Sequence, residues 1–128
     1  MILLDSTFII DFLKNKREAF DILIQTKDEP KCSTLINYSE VLVGDYLEDQ
    51  NRIEKTKSFF SSLYFVFSID KFSAQKAAQL RAIAKKQGYS ISLTDAFIAA
   101  IALTNNCNKI ITKNKKDFEK LGLTVLEY

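Results

Sequence analysis

Ile2-Leu3-Leu4 opens the chain as an unbroken apolar run, and Asp5 ends it. A strand that is apolar at every position has no solvent face, so it must be covered on both sides. Asp5-Ser6-Thr7 follow, residue types that favour helix starts, and Phe8, Ile9, Phe12 and Leu13 recur at helical spacing. The stretch reads as a buried strand feeding directly into a helix. Helices on both faces of a parallel sheet provide that burial. Asp5 then falls at the carboxyl end of the strand, where open α/β sheets take their ligands.

The rest of the chain alternates in the same way. Strands are expected over 31–34, 64–67, 109–112 and 124–126, where short β-branched or apolar runs sit between turn signals. Helical spacing predicts helices over 19–24, 35–47, 53–63, 70–87 and 97–104. In the second of these, Leu35, Tyr38, Leu42 and Tyr46 line one side. In the fourth, Phe72, Ala77, Leu80, Ile83 and Ala84 form the buried side, and Gly88 closes it. Residues 114–120 read as a polar turn or short helix. The expectation is one α/β domain over 1–128, with a central, mostly parallel sheet between two helical layers.

Composition removes several chemistries. No histidine occurs, which excludes Ser-His-Asp and Cys-His sites and imidazole acid–base catalysis. The 3 glycines form no phosphate-cradling loop. Cys32 and Cys107 lie far apart without ligand neighbours, so they read as small buried hydrophobes rather than zinc ligands. A net charge of +2 is too mild to argue for nucleic acid by itself. No apolar run approaches membrane-spanning length, and the amino terminus lacks the order of a secretory signal. A soluble, cytoplasmic protein with no membrane partner is expected. Any hydrolysis falls to carboxylates, with a metal.

Four acids stand out. Asp5 is placed by its strand. Glu40 has Ile36, Val43, Gly44 and Leu47 as helical neighbours and so projects from an apolar stripe. Asp95 opens a helix apolar on nearly every side, hence buried. Asp117 follows a strand, among lysines. Each has an ordinary alternative: a cap for Asp5, a helix-dipole partner for Asp95, a salt bridge for Glu40, a surface acid for Asp117. Gathered at one site they would repel, raising at least one pKa unless a cation joined them. Mg²⁺ or Mn²⁺ takes such ligands and retains water that can serve as nucleophile. Carboxylates without His or Cys therefore point towards phosphodiester chemistry.

These residues also resemble the four motifs of PIN-domain proteins, in order. Leu3-Leu4-Asp5-Ser-Thr-Phe-Ile-Ile-Asp-Phe-Leu13 is similar to their opening, and Asn37-Tyr-Ser-Glu40-Val-Leu-Val-Gly44 to their second motif. Asp95-Ala-Phe-Ile-Ala-Ala100 resembles the third, and Ile111-Thr-Lys-Asn114-Lys-Lys-Asp117-Phe118 the fourth. Size and the segment after Asp117 are most similar to VapC-type toxins of toxin–antitoxin pairs. The resemblance implies a PIN-like three-layer fold and a Mg²⁺- or Mn²⁺-dependent endoribonuclease, with Asp5, Glu40 and Asp95 as metal-binding and catalytic acids. Relatives place a fourth acid either where Asn114 or where Asp117 stands; the first position carries an amide here, and the resemblance leaves both Asn114 and Asp117 as candidates, with Asp117 counted among the metal-binding acids. Ser6 and Thr7 are expected to support Asp5, and Thr112, Lys113 and Asn114 to position site or substrate. Lys113 stands where the family often has arginine. The resemblance also implies an RNA substrate, a homodimer, and a cognate antitoxin whose carboxyl-terminal segment covers the acidic pocket.

Lys109, Lys113, Lys115, Lys116 and Lys120 cluster around the fourth motif, and Lys14, Lys16 and Arg17 follow the first helix. They are candidate phosphate contacts. No basic sheet with interleaved aromatics offers a base-stacking platform. The apolar, aromatic-bearing helices between Leu35 and Leu63 offer an interface. Competing readings are a housekeeping PIN nuclease in RNA maturation and a non-catalytic metal-binding or interaction module. A receiver domain needs an acidic pair near the first strand, and a haloacid-dehalogenase-type phosphatase needs Asp-x-Asp. Asp5-Ser6-Thr7 fits neither.

Overall fold

A computed structural model describes residues 1–128. Its five strands are β1 (Ile2–Leu4), β2 (Lys31–Thr34), β3 (Phe65–Phe67), β4 (Lys109–Ile111) and β5 (Thr124–Leu126). They form one sheet in the order β3-β2-β1-β4-β5, and every pairing is parallel. The sheet expected to be mostly parallel is wholly so. The chain steps outward from β1 to β3 on one side, then returns to place β4 and β5 on the other. The strand order therefore reverses between β1 and β4.

Strand alternation divides the core. Ile2 and Leu4 point to one face of the sheet, Leu3 to the other, and all three are buried. On the Ile2 and Leu4 face lie α1 (Ser6–Leu13), α2 (Arg17–Gln25), α3 (Leu35–Glu48) and α4 (Ile53–Ser62). Phe8, Ile9, Ile22, Val41 and Phe60 are their buried contributions. A single 3₁₀ turn, Gln50–Arg52, joins α3 to α4. On the Leu3 face lie α5 (Lys71–Lys86), α6 (Leu93–Thr104) and α7 (Lys115–Lys120), contributing Ala84, Ile98, Ala102 and Phe118. Cys32 and Cys107 are free thiols buried in this second core, with Sγ atoms 3.7 Å apart.

Helix α6 is buried along Ala96 and Ile98 to Ala102, as its composition requires. It meets α5 through alanines: Ala77 packs with Ala96 and Ala100. Small residues let the two helices approach closely, and this changes the expected face of α5. Ser73, Ala77 and Ala84 are inside, whereas Ile83 is exposed and Phe72 is 76% exposed. Asp70 and Ser73 form a reciprocal capping box at its start. At its end Gly88 adopts φ +85°, and Tyr89 N–H returns to the Ala84 carbonyl at 2.9 Å.

Helix α3 departs further from its pattern. Its buried stripe is Asn37, Val41 and Asp45, while Leu35, Val43, Tyr46 and Leu47 are exposed. Two of these inward positions, Asn37 and Asp45, are polar, and each has a buried partner. Asp45 accepts from Thr56 Oγ1 at 2.5 Å, tying α3 to α4, and Asn37 reaches the end of β1. No helix is long and apolar enough to cross a membrane.

Candidate active site

The site forms where β1 and β4 end side by side. Asp5 N–H donates to the Ile111 carbonyl at 3.1 Å, the last rung between these strands, and so sets Asp5 beside Thr112. Asp5 occupies the N-cap position of α1, but its carboxylate does not cap the helix. Oδ2 accepts instead from Thr112 Oγ1 at 2.6 Å and from Thr7 Oγ1 at 3.3 Å, and Oδ1 accepts from Asn37 Nδ2 at 3.0 Å. The two hydroxyls are themselves anchored: Lys113 N–H donates to Thr7 Oγ1 and Asn114 N–H to Thr112 Oγ1.

Glu40 enters from α3. Ser6 Oγ donates to Glu40 Oε1 at 2.6 Å and accepts from Asn37 Nδ2 at 2.9 Å. The same amide nitrogen thus serves Asp5 and, through Ser6, Glu40. Asn37 is fully buried, and its carbonyl accepts from Thr34 Oγ1 at 2.7 Å. Glu40 itself stands at the rim. Its flanking Val43 and Leu47 face solvent, so the apolar stripe expected to bury it does not.

Asp95 enters from the first turn of α6, where Ser92 Oγ accepts from its N–H at 3.1 Å. Asn114 Nδ2 donates to Asp95 Oδ2 at 3.1 Å. Asp117, half-buried in the first turn of α7, lies close enough to raise the Asp95 pKa. The motif residues from all four segments therefore come to one end of the sheet.

None of these four acids has a basic partner, although seven other carboxylates of the chain do. Burial pushes Asp5 above the usual carboxylate range, against the hydrogen bonds of Thr112, Ser6, Thr7 and Asn37. Burial also raises Glu40; the Ser6 hydrogen bond opposes this and the charge of Asp5 adds to it. Asp95 is pushed up to about 6, first by burial, then by the charges of Asp5, Glu40 and Asp117 against the bond from Ser92. As the side chains stand, no three of them reach ligating distance of one ion; neutral hydroxyls and amides hold them instead.

The sequence profile of the PIN domain matches residues 2–123. The chain belongs to the PIN-domain family. Solved PIN-fold structures share its architecture over nearly full length. A toxin–antitoxin complex from Klebsiella pneumoniae is 29% identical with a TM-score of 0.76, over 92% of this chain and 90% of that one. VapBC2 from Rickettsia felis, solved on a promoter DNA fragment, is 20% identical with a TM-score of 0.85, over 100% and 99%. VapC20 from Mycobacterium tuberculosis, described as a toxin cleaving the sarcin–ricin loop, is 12% identical with a TM-score of 0.75, over 97% of each chain. No functionally curated protein matches the sequence.

The basic residues of this PIN domain divide sharply. Lys109 begins β4, at the amino end of the sheet, and pairs with Glu29 at 2.8 Å; it is not part of the site. Lys113 and Lys16 both pair with Asp11, at 3.0 and 3.1 Å, and Tyr128 donates its hydroxyl to the same carboxylate at 2.8 Å. Asp11 is lowered: burial opposes this, but Tyr128, Lys113 and Lys16 outweigh it. Lys14 pairs with Glu48, and Lys115 with Glu119 and Glu127. Of the expected phosphate contacts only Arg17, Lys116 and Lys120 lack an acidic partner.

Sequence reading left Asn37 out of the site. Its signal was available: it stands three residues before Glu40 and three after Thr34, so one helical turn aligns all three. An amide on an otherwise amphipathic helix reads as a surface residue until its partners are known.

Proposed function

We propose that this PIN domain is a metal-dependent endoribonuclease, the toxin of a toxin–antitoxin pair. One observation carries the reading: acids from the end of β1 and from α3, α6 and α7 gather at the sheet's switch point without a single cationic partner. Uncompensated charge of this kind is costly, and a divalent cation offsets it. Asp5, Glu40, Asp95 and Asp117 are the residues that would hold Mg²⁺ or Mn²⁺. Such an ion supplies a water nucleophile at neutral pH and offsets charge developing on the phosphate.

The chain's own residues prepare the site. Thr112, Thr7 and Asn37 fix both oxygens of Asp5. Ser6 tethers Glu40, and Asn114 orients Asp95. The antitoxin proposal rests on family membership and on the K. pneumoniae relative, solved as a toxin–antitoxin complex. A homodimer through the exposed Leu35, Ile69 and Phe72 completes the proposed assembly, in the cytoplasm where its RNA lies.

The test is cleavage of a mixed set of structured RNAs by purified protein with Mn²⁺, with EDTA, and with Asp95→Asn. Cleavage that needs both metal and Asp95 is the expected result. Cleavage that persists in EDTA, or in the variant, overturns the proposal.

A further inference from the structure

Beyond the acids, an open groove of about 620 Å³ lies between the end of α5 and the segment leading into α6. Arg81 and Lys85 line one wall; Tyr89, Ser90, Ile91 and Leu93 line the other. No acid lines it, and neither Arg81 nor Lys85 forms an ion pair. Arg81 is held in place, because its Nε donates to the Ile91 carbonyl at 3.0 Å, which leaves its terminal nitrogens for a ligand. Lys120 Nζ sits 4.1 Å from the Tyr89 ring centroid, and Lys116 is near enough to act on the Tyr89 hydroxyl.

The groove and the acidic site share elements. Lys116 immediately precedes Asp117 on α7, and Leu93 shares the first turn of α6 with Asp95. Of the three expected phosphate contacts without an acidic partner, two, Lys116 and Lys120, lie on this side. An acid-free wall of unpaired cations complements a polyanion, and an aromatic ring within it suits the face of an unpaired base.

We propose that this groove carries a single strand of RNA alongside the scissile phosphate, with Arg81, Lys85, Lys116 and Lys120 on the backbone and Tyr89 against a base. The inference rests on the ribonuclease reading above and adds to it the path of the substrate.

Binding of a fluorescent single-stranded RNA to the full chain, followed by anisotropy in EDTA across a salt series, tests it without cleavage. Lys85→Gln with Lys120→Gln should lower the salt slope by roughly 1.4, about 0.7 for each phosphate no longer neutralised. Tyr89→Ala should weaken binding about tenfold, and Tyr89→Phe should retain it. None of these side chains carries a buried hydrogen bond, and matching melting curves verify the fold. An unchanged slope together with unchanged affinity in Tyr89→Ala overturns the groove. Cleavage by the wild type in Mn²⁺ is scored separately. Groove-dependent binding without cleavage would sustain the path and sink the nuclease; cleavage with groove-independent binding would do the reverse.

Discussion

Asn37 holds more of the site together than any other uncharged residue. One amide nitrogen donates to Asp5 and to Ser6, and Ser6 passes the constraint to Glu40. Asn37→Ala removes a buried bond to a carboxylate, a loss of about 2 kcal/mol in denaturant unfolding. It should also lower cleavage while leaving RNA affinity in EDTA unchanged. Asp95 makes a prediction in pH. It ionises near 3.8 in an unfolded chain and near 6 in the fold. Between those values the folded state holds more protons, so its stability falls as pH rises and does not recover above about 6. Asp95→Asn lacks this penalty. In EDTA the melting temperature of the variant should draw above that of the wild type from about pH 4 to about pH 6, then stay a constant distance above it. A gap that ignores pH contradicts the burial and the neighbouring charges that hold Asp95 protonated. Asp5 was legible from its strand, and Asp95 from the apolar helix behind it. Thr112 and Asn114 were legible as positioning residues through the resemblance alone, and Asn37 was not, since all three meet their acids only across the folded sheet.

Among the elements, those whose apolar residues match their buried faces were readable, and the others were not. β1 and α6 are buried along their apolar residues, and both followed from composition. α3 and α5 instead turn polar or small residues inward. In α3, Asn37 and Asp45 are buried because the site and Thr56 receive them; in α5, Ala77 gives way to the alanines of α6. Hydrophobic spacing reports apolar area, not which face finds a partner. Close packing between α5 and α6 makes Ala77→Leu destabilising by about 1–3 kcal/mol, read by thermal unfolding. Replacing Asp70 by Ala removes the capping box and should cost about 1 kcal/mol. Phe72→Ser, at an exposed position on the same helix, should leave the melting temperature of the monomer unchanged.

For the whole molecule, the parallel sheet fixes the chemistry's address. Reversal of strand order between β1 and β4 opens the crevice, and the end of β1, the helices after β2 and β4 and the start of α6 deliver one acid each. Exposed Leu35 and Ile69 line an apolar hollow together with Glu40 of the site, and exposed Phe72 follows in the first turn of α5. In the proposed homodimer Phe72→Glu should yield a monomer by sedimentation velocity, whereas a wild type already monomeric at micromolar concentration would contradict the dimer. The central claim is that the four unpaired acids make one cation site. Calorimetric titration of Mn²⁺ into metal-stripped protein at pH 7 tests it most directly, for the wild type, Asp5→Asn and Asp95→Asn. The account predicts binding by the wild type and a loss of roughly tenfold or more in each variant, with unchanged circular dichroism. Equal affinities in all three proteins, or no binding by the wild type, would contradict it.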